Sequence, residues 1–137
     1  MEDTTYLRNQ AQSYDNQRTQ AELEKRAIDI KLERLREAKD LVKKEKDTID
    51  TLKRGVNSRK NPDDVWQGEK RRQYSEYISS DLLYLFGTYY DQLDFMHDAI
   101  ILKIAELENQ RRERIWLISW CFDQANNLWA RIRTAFN

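Results

Sequence analysis

Asn61-Pro62-Asp63-Asp64-Val65-Trp66-Gln67-Gly68 is the stretch on which the reading of this chain turns. It contains the only proline and one of three glycines in 137 residues. Asparagine at a cap, proline at the first helical position and two aspartates in the first turn mark a helix start. Proline has no N–H to leave unsatisfied there, and carboxylates favour the positive end of the helix dipole. Trp66 and Gly68 follow at once, and glycine most readily takes the left-handed backbone of a stop or tight turn. The spelling predicts one short helical turn, a corner at Trp66-Gln67-Gly68, and a second helix from about Glu69. On the residues alone, Trp66 is a large apolar plug at the end of a helical hairpin.

Upstream, Asp3, Thr4 and Thr5 can cap a helix that meets no glycine or proline before Gly55. Leu7, Ala11, Tyr14, Arg18, Ala21, Lys25, Ile28, Leu32, Leu35, Lys39, Val42, Lys46 and Ile49 recur at alternating spacings of four and three. This is a heptad seam and it calls for a partner helix. At Arg18, Lys25, Lys39 and Lys46 only the aliphatic stems can be buried while the charges reach outward. Leu23, Ile30 and Leu41 lie off the seam and offer a second contact stripe.

Downstream, the apolar stripe reads Tyr74, Ile78, Leu82, Leu85, Tyr89, Leu93, Met96, Ile100, Ile104 and Leu107. Tyr77, Tyr84, Phe86, Tyr90 and Phe95 add apolar surface around it. Its steps are nearer an eleven-residue repeat than a heptad, which predicts nearly straight packing. Gly87 interrupts the run and marks a gentle bend or a close helix approach.

A turn near Asn61 places Leu7 opposite a residue near 115 to 120, because both arms rise about 1.5 Å per residue. Residues from roughly 120 onward then have no cover in helix 1. They are the most apolar part of the chain and, with Trp116, hold three of the four tryptophans. The segment either extends helix 2 or breaks near Asp123 to Asn127 and folds back as a short third helix. Trp, Tyr and Arg concentrate in binding hot spots. Trp116, Trp120, Phe122, Trp129, Ile132 and Phe136 are therefore the partner-interface candidates, against the plainer reading that they complete a three-helix core.

Charged residues make up 35% of the chain and the formal net charge is zero, a composition suited to solvated helices. An even balance of sign lacks the basic field that general nucleic-acid binding needs. Basic residues outnumber acidic ones from Lys31 to Lys60, whereas acids dominate from Asp63 to Glu108, so a hairpin lays opposite charges side by side. No apolar run approaches the roughly 20 residues that span a bilayer, and no charged-then-apolar N-terminal signal is present. Stable membrane insertion is not expected. Cys121 and His97 are the only residues of their types, which rules out an internal disulfide, a thiolate cluster and a histidine-pair metal site. Glu-x-x-His motifs and phosphate-cradling glycine loops are also missing. No catalytic residue, metal ligand or cofactor is assigned, and the chain is not expected to be an enzyme.

Trp66-Gln67-Gly68 at the corner between two long helices resembles the WXG family of type VII (ESX) secretion substrates. The length makes the chain more similar to the small helical partner proteins associated with LXG polymorphic toxins. The resemblance covers roughly residues 5 to 110. It implies a non-enzymatic, chaperone-like targeting factor that binds the toxin's helical N-terminal domain. It also implies residence in the cytoplasm before export, and a type VII route that needs no cleaved signal peptide. The family's second sign is an aromatic residue followed four positions later by an acid. Tyr77 with Asp81 and Tyr90 with Asp94 fit that spacing and join Trp66 and Gly68 as secretion-motif candidates, although they fall mid-helix rather than beyond the second helix. A homodimer through the aromatic faces, or a coiled-coil scaffold without a secretion role, is the competing expectation.

The fold expected is all-α: a long antiparallel helical hairpin in a single domain, 1–137. Helix 1 covers about 4–57, the corner 58–68, helix 2 about 69–118, and a C-terminal helical segment about 119–136.

Overall fold

The computed structural model describes residues 4–58 and 68–136. Asp3, Asn61, Pro62, Asp63, Asp64 and Trp66 lie outside them, so the capping role of Asp3 and the tryptophan corner are not described. Among the described residues the chain is all-α, a helical hairpin. Helix α1 is Thr4–Ser58, α2 is Glu69–Glu76, and α3 is Leu83–Phe136, with a π-helical turn at Tyr77–Leu82 between α2 and α3. The second arm thus begins at Glu69, as the sequence predicts.

By internal contacts the chain divides into two compact units, Met1–Arg34 with Ile104–Asn137, and Leu35–Lys103. The first unit has its core where Leu7 and Ala11 of α1 meet Leu128 and Ile132 of α3, with Tyr14 and Trp129 packed against them. Ala21, Ile28, Leu32, Leu107, Cys121 and Ala125 are buried there too. In the second unit Val42 and Ile49 pack on Leu93, flanked by Phe86, Tyr90 and Ile100. The α1 seam is thus the buried one, whereas Leu23, Ile30 and Leu41, off the seam, are exposed.

Which face of the second arm turns inward differs from the expected stripe. Ile78 and Leu93 are buried, but Leu85, Tyr89 and Met96 are exposed, and Phe86 and Tyr90 pack on the core in their place. The π turn accounts for this. The Leu83 N–H donates to the Ile78 carbonyl, five residues back rather than four. A turn that takes up an extra residue carries the following residues around the helix by about one position. The local sequence favours it: the Ser80 hydroxyl donates to the Glu76 carbonyl at 2.6 Å, engaging a backbone acceptor of the helix. At Gly87 no atom lies within 4 Å of where a Cβ would stand, so no helix approaches closely there.

The pairing register also departs from the one expected. Leu7 packs with Leu128 and Ile132 rather than near residues 115 to 120. In the same unit Arg111 Nε donates to Asp29 Oδ1 at 2.6 Å, a pair equidistant along the chain from Lys70 and not from Asn61. No residue of helix α2 is fully buried. The second arm is set back so that its most apolar portion, and not its first turns, lies against α1. Burying side chains such as Leu128 and Ile132 is worth about 1.5–3 kcal/mol each, more than the charged α2 could supply. The C-terminal segment therefore continues α3 without a break near Asp123 to Asn127, and α1 covers part of it.

Candidate partner-binding surface

Within the first unit, Ile115, Phe122, Trp129 and Phe136 follow one another at intervals of seven on α3. Seven residues are nearly two helical turns, so these side chains share one edge of the helix. Polar groups of α1 meet them in reverse order. The Arg8 guanidinium lies over the Phe136 ring at 5.6 Å. Trp129 Nε1 donates to Asp15 Oδ2 at 3.1 Å. Arg18 lies over Phe122 at 5.5 Å. Below these, Asp29 accepts from both Arg111 and Lys25. Arg111 first and Lys25 second hold its carboxyl below the usual aspartate range. Glu24, hydrogen-bonded to Gln20 and to Arg114, is held low in the same way. Phe122 and Phe136 keep an exposed face, but each is engaged by its own chain.

Trp116 and Trp120 stand apart from this edge. They are one helical turn apart and stacked, with ring centroids 6.1 Å apart and planes inclined by 12°. The Tyr14 ring of α1 meets Trp120 edge-on at 5.4 Å, the geometry favoured by aromatic quadrupoles. Trp116 is 65% exposed. Beside it a shallow apolar depression is lined by Arg112, Glu113, Arg114, Trp116 and Leu117. Arg114 is bound to Glu24, so the surroundings are largely charge-neutralised.

Four of the six aromatic-tail candidates, Trp116, Trp120, Phe122 and Phe136, are exposed. Trp129 is half-buried, and Ile132, at 5% exposure, belongs to the core of its own chain. Of the secretion-motif candidates, Tyr90 and Asp94 are brought together around Lys46. Its ammonium lies over the Tyr90 ring at 5.2 Å and donates to Asp94 Oδ1 at 2.6 Å. This contact raises the Lys46 pKa and lowers that of Asp94. It is the acidic second arm meeting the basic first arm, as charge segregation predicts. Tyr77 and Asp81 are exposed on the π turn. Gly68 precedes α2 with φ 93° and ψ −153°, a conformation essentially reserved for glycine. Trp66 lies outside the described residues.

Sequence reasoning missed that Tyr14 and Arg18, read as seam positions, reach the tail aromatics. The seven-residue spacing from Ile115 to Phe136, mirrored by Arg8, Asp15 and Asp29 on α1, was the signal available. Among the described residues no three His, Cys, Asp or Glu side chains gather as metal ligands. His97 Nδ1 stands 4.0 Å from Asp98. No helix among the described residues is long and apolar enough to cross a membrane.

No curated protein and no solved structure matches the chain. A family model does, the one described as YwqH-like, over residues 5–129. That span takes in both arms, the π turn and the tryptophan pair, and the chain belongs to the YwqH-like family.

Proposed function

We propose that this protein is a non-enzymatic partner of an LXG-type toxin exported by a type VII system, and that it binds the helical N-terminal domain of that toxin. The observation that carries the reading is the stacked Trp116–Trp120 pair, in which Trp120 is anchored by the edge of Tyr14 and Trp116 faces solvent. YwqH-like proteins are associated with LXG toxin systems, which supports the choice of partner. Exposed tryptophans pre-positioned by packing on their own chain give up little conformational freedom on binding, and tryptophan dominates interface hot spots. A toxin helix laid along α3 would place an apolar stripe on the two indoles and in the depression beside them. The chain performs no reaction; it shields and delivers.

Co-expression with the N-terminal helices of an LXG-type toxin from the same genome, followed by a pull-down, tests this. A complex is expected, and Trp116→Ala with Trp120→Ala is expected to abolish it while helicity by circular dichroism is unchanged. A complex indifferent to both substitutions, or none with the wild-type chain, overturns the reading and favours a scaffold without a secretion role.

A further inference from the structure

The second unit carries a different surface. On α1, Leu41, Glu45, Thr48 and Leu52 are spaced i, i+4, i+7 and i+11, and on α3 Leu85, Tyr89, Gln92 and Met96 repeat the same spacing. Such spacing puts each set on one helical stripe. The Tyr89 hydroxyl donates to Glu45 Oε1 at 3.3 Å, so the two stripes lie side by side on one flank of the hairpin. All eight residues are exposed, Leu41 by 66% and Leu85 by 62%. The flank is thus apolar at both ends and polar across the middle. It exists because Leu85 and Tyr89, just beyond the π turn, give up their core places to Phe86 and Tyr90, and Met96 is exposed beside them.

We propose that this flank is where a second copy of the chain docks, through a two-fold axis parallel to the helices. Such an axis lays α1 of one copy against α3 of the other and keeps each residue at its own level along the helices. Leu41 then meets the other copy's Met96, and Leu52 meets its Leu85, so apolar layers face apolar layers. Charge selects the same pairing. From Arg36 to Arg54 basic residues outnumber acidic ones, whereas from Tyr77 to Leu102 there are acids and no lysine or arginine. The alternative axis, perpendicular to the helices, sets basic against basic and acidic against acidic, which is unfavourable. The five large apolar side chains expose on the order of 500 Å² per copy, so that two copies bury about the 1,000 Å² a specific interface requires.

Sedimentation velocity of the 137-residue chain over a concentration series tests the proposal. A species of twice the 16.6 kDa chain mass is expected at the higher concentrations. Leu41→Glu with Leu85→Glu is expected to leave only the single-chain mass, with helicity unchanged because both side chains are solvent-exposed within one chain. Tyr89→Lys with Met96→Glu is a second disruption at the same flank with the same expected result. Trp116→Ala with Trp120→Ala is expected to keep the dimer, which separates this surface from toxin binding. A single-chain mass at every concentration overturns the proposal. So does a dimer that survives both flank variants, or one lost only when the tryptophans are replaced.

Discussion

Trp129 and Asp15 are joined across the two arms of the first unit by an indole N–H to carboxylate hydrogen bond of 3.1 Å. Asp15 thereby supplies an acceptor for a donor that half-burial removes from water, while the indole packs against the Leu7, Ala11, Leu128 and Ile132 cluster. A hydrogen bond to a charged group contributes roughly 1.5–3 kcal/mol. Trp129→Phe keeps most of the apolar contact and loses the bond, so a stability loss of about 1–3 kcal/mol is expected by urea unfolding. Asp15→Ala should fall in the same range, because it strands the same donor.

Ile132 and Trp116 separate packing from recognition. Ile132→Ala removes buried methyl groups and should cost about 2–5 kcal/mol. Trp116→Ala, at a site 65% exposed, loses only its stacking on Trp120 and should cost about 0.5–1.5 kcal/mol. Thermal melts of the two variants check the contrast. Equal losses would mean that Trp116 belongs to the core.

Lys46 and Asp94 are unequal partners. The lysine side chain is largely buried with its ammonium over the face of the Tyr90 ring, whereas the aspartate is exposed. Removing the aspartate leaves a partly desolvated cation without its counter-charge, while replacing the lysine with methionine removes the charge and keeps the stem. Asp94→Ala is therefore expected to lower the denaturation midpoint more than Lys46→Met. The reverse order would show that the ammonium is freely hydrated.

Acid should loosen the first unit. Asp29 and Glu24 have folded-state pKa values depressed by their hydrogen bonds, Asp29 chiefly through Arg111 and Glu24 chiefly through Gln20 and then Arg114. A depressed carboxylate contributes stability that is fully present above its unfolded value, about pH 4. That contribution is lost as pH falls through the folded value. The melting temperature should drop on acidification below about pH 4, and Asp29→Asn should flatten the drop. High salt should weaken the same ion pairs at neutral pH, since they are partly exposed.

Gly68 needs its glycine for conformation and not for room. Nothing lies within 4 Å of a Cβ placed there, but φ is 93°. Its carbonyl accepts the Arg72 N–H at 3.1 Å and so opens α2. Gly68→Ala should cost about 1–3 kcal/mol locally. Because no residue of α2 is fully buried, the loss should appear as faster hydrogen exchange over residues 69–76 rather than as a lower global melting point. A lost toxin complex with the rest of the fold intact would assign Gly68 a role in recognition as well.

The residue pattern by itself determined that this chain makes two helical arms, where the second begins, and which face of α1 is buried. Leu7, Ala11, Ala21, Ile28, Leu32, Val42 and Ile49 are legible as a seam because helical period is a local property and α1 keeps it without interruption. Tertiary structure alone decided the rest. The π segment Tyr77–Leu82, with its Leu83-to-Ile78 bond spanning five residues instead of four, exchanges Leu85 for Phe86 and Tyr89 for Tyr90, and no periodicity announces it. The register about Lys70 is likewise a competition among pairings that are each locally acceptable. It is settled by how much apolar surface Leu128 and Ile132 remove from water against Leu7 and Ala11, a sum taken over residues more than a hundred positions apart. The aromatic tail looked uniformly available in the sequence. Only folding divided it into Ile132 and Trp129, held by their own chain, and Trp116 and Trp120, left facing outward.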